Sequence, residues 1–92
     1  MKRDEALKTL GRRIAALRRE KGLTQEALAE AMGVSRNHVA DIELGARNTG
    51  VWSLLLICRA LKIPPAEMFA DFRFPEPRRD RKELPPREKG KR

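Results

Sequence analysis

The sequence predicts an all-α fold: a compact domain of five helices followed by a basic C-terminal tail. Three observations carry that expectation. Apolar residues recur at spacings of three and four rather than alternating, which is the period of a helix with one buried face. Thr24 and Ser35 stand just before two such runs, where a side-chain oxygen can accept amide hydrogens that the first turn leaves unpaired. Gly22, Gly33 and Gly45 stand just after three of them, and glycine past a helix end reaches the left-handed conformation that satisfies the last carbonyls.

Taken in order, Leu7, Leu10, Ile14 and Leu17 place one amphipathic helix from Asp4 to Lys21. Gly11 inside it costs about 1 kcal/mol relative to alanine, so its presence predicts a close backbone approach or a helix start nearby. A second helix, about Gln25 to Met32, turns Leu28, Ala29 and Met32 inward, and a third, about Arg36 to Leu44, turns in Val39 and Ile42. The fourth, from about Val51 to Leu61, is expected to bury Val51, Leu54, Ile57, Cys58 and Leu61. A short fifth follows Pro64-Pro65 and docks Met68 and Phe69; Pro65 suits a first turn, where its missing N–H costs nothing. The expected domain covers residues 4–72. Residues 73–92 hold little apolar surface, with Leu84 the one aliphatic residue beyond Phe74 among four prolines. Such a segment cannot offset its ordering entropy and reads as disordered.

Composition narrows the class. The apolar residues lie between Leu7 and Phe72, enough for one small core that buries only roughly 60% of its unfolded surface. The formal charge is +8, and residues 73–92 hold nine Lys/Arg against four Asp/Glu, a net of +5, so most of the excess is tail. A basic chain attracts polyanions, which include nucleic acid, anionic membranes and acidic proteins. Cys58 is the only cysteine; inside an apolar run it reads as a small buried hydrophobe rather than a redox sensor. No apolar run reaches 18 residues and no leader is recognisable, so no membrane partner is expected and the chain reads as cytoplasmic, on the nucleoid if it binds DNA. His38 is the only histidine and no cysteine pair accompanies it, so neither a metal nor another cofactor is expected. Paired inward carboxylates, a Cys-His arrangement and a glycine-rich phosphate loop are not recognisable, and the chain reads as no enzyme.

Two short capped helices joined by a tight turn at Gly33, the second presenting Arg36, Asn37 and Asp41, form the layout of a DNA-reading helix-turn-helix. Further residues sharpen the match: Leu10-Gly11-Arg12-Arg13-Ile14, Leu17-Arg18, Gly22-Leu23-Thr24-Gln25-Glu26-Ala27-Leu28-Ala29, Gly33-Val34-Ser35, Ile42-Glu43-Leu44-Gly45, and Leu54 to Leu61 leading to Met68-Phe69. In these the chain resembles the lambda-repressor-like, Cro-type helix-turn-helix family, also called the xenobiotic-response-element family. The resemblance covers about Leu10 to Phe69. It implies a five-helix domain that inserts its third helix into the major groove, usually as a dimer on a near-palindromic operator. The start of helix three also looks similar to restriction-modification controller proteins and small phage repressors.

The candidate base-reading residues are Arg36, Asn37, His38 and Asp41. Arg36 can offer two parallel N–H donors to guanine, and Asn37 can pair similarly with adenine. Asp41 departs from the family, where a longer neutral or basic reader is common. Its carboxylate can accept from cytosine, or it can orient Arg36 or Asn37 by an intrahelical hydrogen bond. His38 can touch a thymine or a phosphate, or simply face solvent. Thr24, Gln25, Ser35, Arg47 and Asn48 are the candidate phosphate contacts: Thr24, Gln25 and Ser35 at helix starts, where amides and the dipole favour an anion, and Arg47 and Asn48 by resemblance. Gln25 also reads as an ordinary helix-start residue. Arg18 and Glu43 match family positions that pair across helices one and three.

Trp52, Leu55 and Leu56, with Arg59, form a second surface on helix four, expected to join two copies; the alternative is that Leu55 is core and Trp52 covers helix five or the tail. The sequence therefore reads as a transcriptional regulator that binds double-stranded DNA as a homodimer. An antitoxin with a protein partner and a protein-binding adaptor are the alternatives; the tail offers a toxin almost only Leu84, and intact Gln25, Arg36 and Asn37 argue against the adaptor.

Overall fold

The computed structural model describes residues 2–70 and 72. Along it run α1 (Arg3–Glu20), α2 (Gln25–Met32), α3 (Arg36–Leu44), α4 (Val51–Leu61) and α5 (Pro65–Met68), and every described element is helical. The expected tail, 73–92, lies outside the described residues.

Local chemistry sets the boundaries. The Thr24 hydroxyl accepts from the Ala27 amide at 3.0 Å, and the Ser35 hydroxyl from the His38 amide at 3.1 Å. At the other end of α2, Gly33 turns left-handed at φ +77°, which lets the Val34 amide return to the Ala29 carbonyl. α3 ends the same way at Gly45, with Ala46 donating to Asp41. The turn between α2 and α3 is thus closed by side-chain and backbone bonds within about ten residues.

α1 lies across α3 and α5, while α2 packs on α3 and α4. Ile14, Leu17, Leu28, Val39, Ile57, Leu61 and Met68 meet in the middle with essentially no exposed surface. Each such side chain contributes about 1.5–3 kcal/mol of hydrophobic stabilisation relative to exposure, and all five helices supply at least one. Gly11 explains how α1 and α3 come so close: a Cβ there would fall 2.5 Å from the Ile42 carbonyl oxygen and nearer still to that of Glu43. The close approach expected at this glycine is present, and it brings two backbones into contact.

Three packing expectations fail. Val51 is 71% exposed rather than buried: it opens α4 beside the exposed cap residue Gly50, with no preceding turn of its own helix next to it. Phe69 is 43% exposed; α5 is a single turn and presents only Met68 to the core, leaving Phe69 against Phe72 at 5.8 Å between ring centres. Leu56, expected on the outward surface of α4, is partly buried against the core. Among the described residues, no helix is long and apolar enough to cross a membrane.

Candidate nucleic-acid interface

The starts of α2 and α3 and the loop after α3 carry the candidate contact residues. What fixes their relative positions is Glu43, on the inner side of α3. Arg18 of α1 donates to it twice, Nε to Oε2 at 2.6 Å and Nη2 to Oε1 at 3.0 Å, and gives a third bond to the Leu23 carbonyl at 2.8 Å. Both side chains are largely desolvated, at 10% and 6% exposure. The hydrogen bond to Glu43, more than the opposing effect of burial, holds the Arg18 guanidinium above its ordinary pKa. It is a permanent cation.

Gln25 extends this pair to the surface. Its Nε2 donates to Glu43 Oε1 at 2.9 Å, and its Oε1 accepts from Arg36 Nη1 at 3.1 Å. The direction of the carboxamide is dictated by its neighbours, because an ionised carboxylate only accepts and a guanidinium only donates. A continuous chain therefore runs from α1 through α3 and the first residue of α2 to the first residue of α3. Arg36 also lies 3.6 Å from Glu26 Oε2.

Arg36 and Asn37 are both exposed on the first turn of α3, with the His38 side chain half-buried beside them. Thr24, Ser35, Arg47 and Asn48 are exposed, and Gln25 is half-buried by its two bonds. Asp41 pairs with Arg47 across the turn at 3.5 Å, rather than with Arg36 or Asn37 as one of the sequence expectations had it. A further candidate surface lies along α4. It carries Val51, Trp52, Leu55 and Arg59, all exposed.

Sequence reasoning missed several residues that the fold puts to use. Arg12 and Arg19 are exposed along α1 and border a groove of about 530 Å³ between α1 and α3, which ends at Gln25 and Leu44. Their i, i+7 spacing on a helix otherwise read for its apolar stripe was the available signal. Glu26 stands inside the Gly22–Ala29 motif with no signal of its own. Arg13, whose guanidinium donates to the Glu67 carbonyl at 3.0 and 3.1 Å and ties α1 to α5, has no local signature because its acceptor is backbone.

Known proteins match this arrangement. A helix-turn-helix family model covers residues 14–68. An HTH-type transcriptional regulator of Sinorhizobium fredii, y4dJ, is 39% identical over 61 residues, spanning 66% of this chain and 79% of that one. The immunity repressor protein of Bacillus phage phi105 is 44% identical over 55 residues, and the match spans 60% of this chain but 38% of the repressor. Among solved structures, the restriction-modification controller protein C.AhdI from Aeromonas hydrophila has a TM-score of 0.69 at 40% identity, covering 71% of this chain and 98% of its own. The clp gene regulator ClgR from C. glutamicum has a TM-score of 0.66 at 30% identity, covering 68% and 82%. The capped α2–α3 pair, the buried arginine-glutamate brace and these matches agree: the chain belongs to the Cro-type helix-turn-helix family of DNA-binding transcriptional regulators.

Proposed function

We propose that the chain reads a specific, near-palindromic operator in double-stranded DNA as a homodimer, in the cytoplasm, with α3 of each copy in the major groove. The observation that carries this reading is the exposure of Arg36 and Asn37 at the start of a helix braced from behind by Glu43, Arg18 and Gln25. A bidentate donor and a donor-acceptor amide, held at a fixed angle to the scaffold, suit guanine and adenine edges, each good pair giving about 1–3 kcal/mol of discrimination.

His38 and Asp41 complete the reading face, with Asp41 held by Arg47 until a cytosine amino group competes for the carboxylate or a phosphate for the guanidinium. Thr24, Gln25 and Ser35 at the helix starts, and Arg47 and Asn48 after α3, grip the backbone and set register without reading sequence. Residues 4–72 carry this activity. The basic segment 73–92 has three readings: sequence-independent attraction, a partner site or an inert solubilising end. Deleting residues 75–92 weakens binding and flattens its salt dependence with the consensus unchanged only under the first. Occupancy of the operator regulates transcription; repression follows where the site overlaps a promoter, as the name of the phage relative suggests.

Selection from random duplexes at about 0.15 M salt, near physiological strength, is the direct test. Enriched half-sites spaced by about one helical turn, roughly 10 bp, are expected. Folded protein that enriches nothing would sink the reading.

A further inference from the structure

Glu26 lies outside every role assigned so far, yet the fold brings it against the leading candidate for base contact. We propose that Glu26 is a positioning residue for Arg36: with Gln25 it holds the guanidinium at two points and so sets the guanine preference of the protein. The proposal rests on the reading of Arg36 as a base contact.

The geometry supplies the argument. Gln25 Oε1 takes one hydrogen of Arg36 Nη1 at 3.1 Å, and Glu26 Oε2 faces Arg36 Nε at 3.6 Å. A guanidinium has five N–H donors in a rigid plane. Nη1 gives one hydrogen to Gln25, and Nε faces the Glu26 carboxylate as an ion pair longer than a hydrogen bond; one N–H of Nη1 and both of Nη2 are left, and a bidentate contact to guanine O6 and N7 needs only two. A single hydrogen bond through Gln25 acts as a pivot; the Glu26 carboxylate, attracting a different nitrogen, biases the plane.

Gln25 and Glu26 are adjacent in the first turn of α2, and that turn is itself tied to α3 through Glu43. The clamp therefore moves with the helix that carries Arg36. The guanidinium's orientation is biased before DNA arrives, so less side-chain freedom is lost on binding. The contact is an exposed ion pair, with side chains 48% and 70% accessible, and pairs of that kind shift equilibria by about two- to fivefold. That is the size of effect to expect on base preference.

Two ordinary roles of a glutamate here must be separated from this one. A carboxylate in the first turn favours the helix dipole, and an acidic residue near DNA repels phosphates regardless of sequence. The first alters melting temperature alone; the second alters affinity for all duplexes equally. Neither changes the preference at one base pair.

The experiment uses the full chain and its selected operator. Arg36→Ala first identifies the base pair that loses its preference. Binding to duplexes carrying each of the four bases there is then compared for the unaltered chain, Glu26→Gln, Glu26→Ala, and Glu26→Ala combined with Arg36→Ala. Glu26→Ala should lower the guanine preference by about two- to fivefold at that position and leave other positions unchanged. Glu26→Gln, which keeps an acceptor oxygen, should fall between, and the effect should vanish in the Arg36→Ala background. An equal gain in affinity for all four duplexes, or a change in melting temperature alone, overturns the proposal. If Arg36→Ala relaxes no position, the base-contact reading fails first and the proposal falls with it.

Discussion

At Glu43 two carboxylate oxygens serve three donors from two other helices, so its charge is compensated in a largely desolvated position. Removing that charge strands Arg18, which is itself desolvated and permanently cationic. Breaking one side of such a pair costs about 3–5 kcal/mol, and in a domain of this size each kcal/mol shifts Tm by about 4–8 °C. Glu43→Gln should therefore lower Tm by about 12 °C or more in thermal denaturation followed by circular dichroism; an unchanged Tm would show that the pair carries no stability. The pairing of Arg18 with Glu43 was legible from the sequence through the family resemblance. The Gln25 bridge was not, because a hydrogen bond between residues 18 apart on different helices leaves no periodic trace. Cys58 offers a second check. Burial pushes its thiol up from the ordinary value, so the protonated form is favoured in the folded chain. A folded pKa above the unfolded one contributes stability below the ordinary thiol range and loses it as pH rises through the folded value, so this residue destabilises the fold only in alkali. At neutral pH, alkylation by iodoacetamide followed by mass spectrometry should proceed no faster than unfolding; a rate like that of a free thiol in native buffer would contradict the buried placement.

α1 and α3 meet through backbone, and this reverses the sign of a familiar substitution. Helix propensity alone says that Gly11→Ala stabilises α1 by about 1 kcal/mol. The contact says otherwise, since the new methyl group would press on the carbonyls of Ile42 and Glu43, which are main chain and cannot swing aside. Overpacking of that kind costs about 1–3 kcal/mol, and relief requires moving α3, the helix that presents Arg36 and Asn37. Gly11→Ala should lower both Tm and operator affinity in denaturation and titration experiments. A rise in Tm would mean that the helices tolerate separation. The other element boundaries were readable because their determinants are local: Thr24 and Ser35 cap within three residues, and Gly33 and Gly45 stop their helices by conformation. Which side chains an element buries depends on what lies opposite. For α1 to α3 periodicity sufficed, whereas at the start of α4 and beyond the single turn of α5 nothing in the sequence showed where the neighbouring helices end. Val51 and Phe69 were misplaced for that reason.

For the whole molecule, one apolar surface has no partner within the described fold. Val51, Leu55 and Arg59 follow one another at helical spacing of four along α4, and Trp52 lies beside them. Val51 and Trp52 are 71% and 69% exposed and Leu55 44%. Scattered exposed aliphatics are ordinary, but a tryptophan flanked by two aliphatic residues on one turn and a half is the composition of an interface centre. A surface that contacts its own copy about a two-fold axis is used twice, so three apolar residues become six with an Arg59 from each copy beside them, a start on the apolar centre of an interface burying about 1,200–2,000 Å². The same symmetry would hold two copies of α3 at a fixed separation, which is what two half-sites require. Trp52 is the only tryptophan in the chain, so its fluorescence reports on this surface alone. On concentration the emission should shift to the blue as sedimentation shows the mass rising from 10.5 kDa to twice that value. Leu55→Glu should abolish both changes while leaving the Tm of the dilute monomer within about 4–8 °C, the shift expected for a cost near 1 kcal/mol. It should also weaken binding to the paired site far more than to a single half-site, since the dimer's second contact is intramolecular. A monomer mass that holds at high protein concentration, with Trp52 emission unmoved, would leave this surface without its partner and return operator recognition to a single α3.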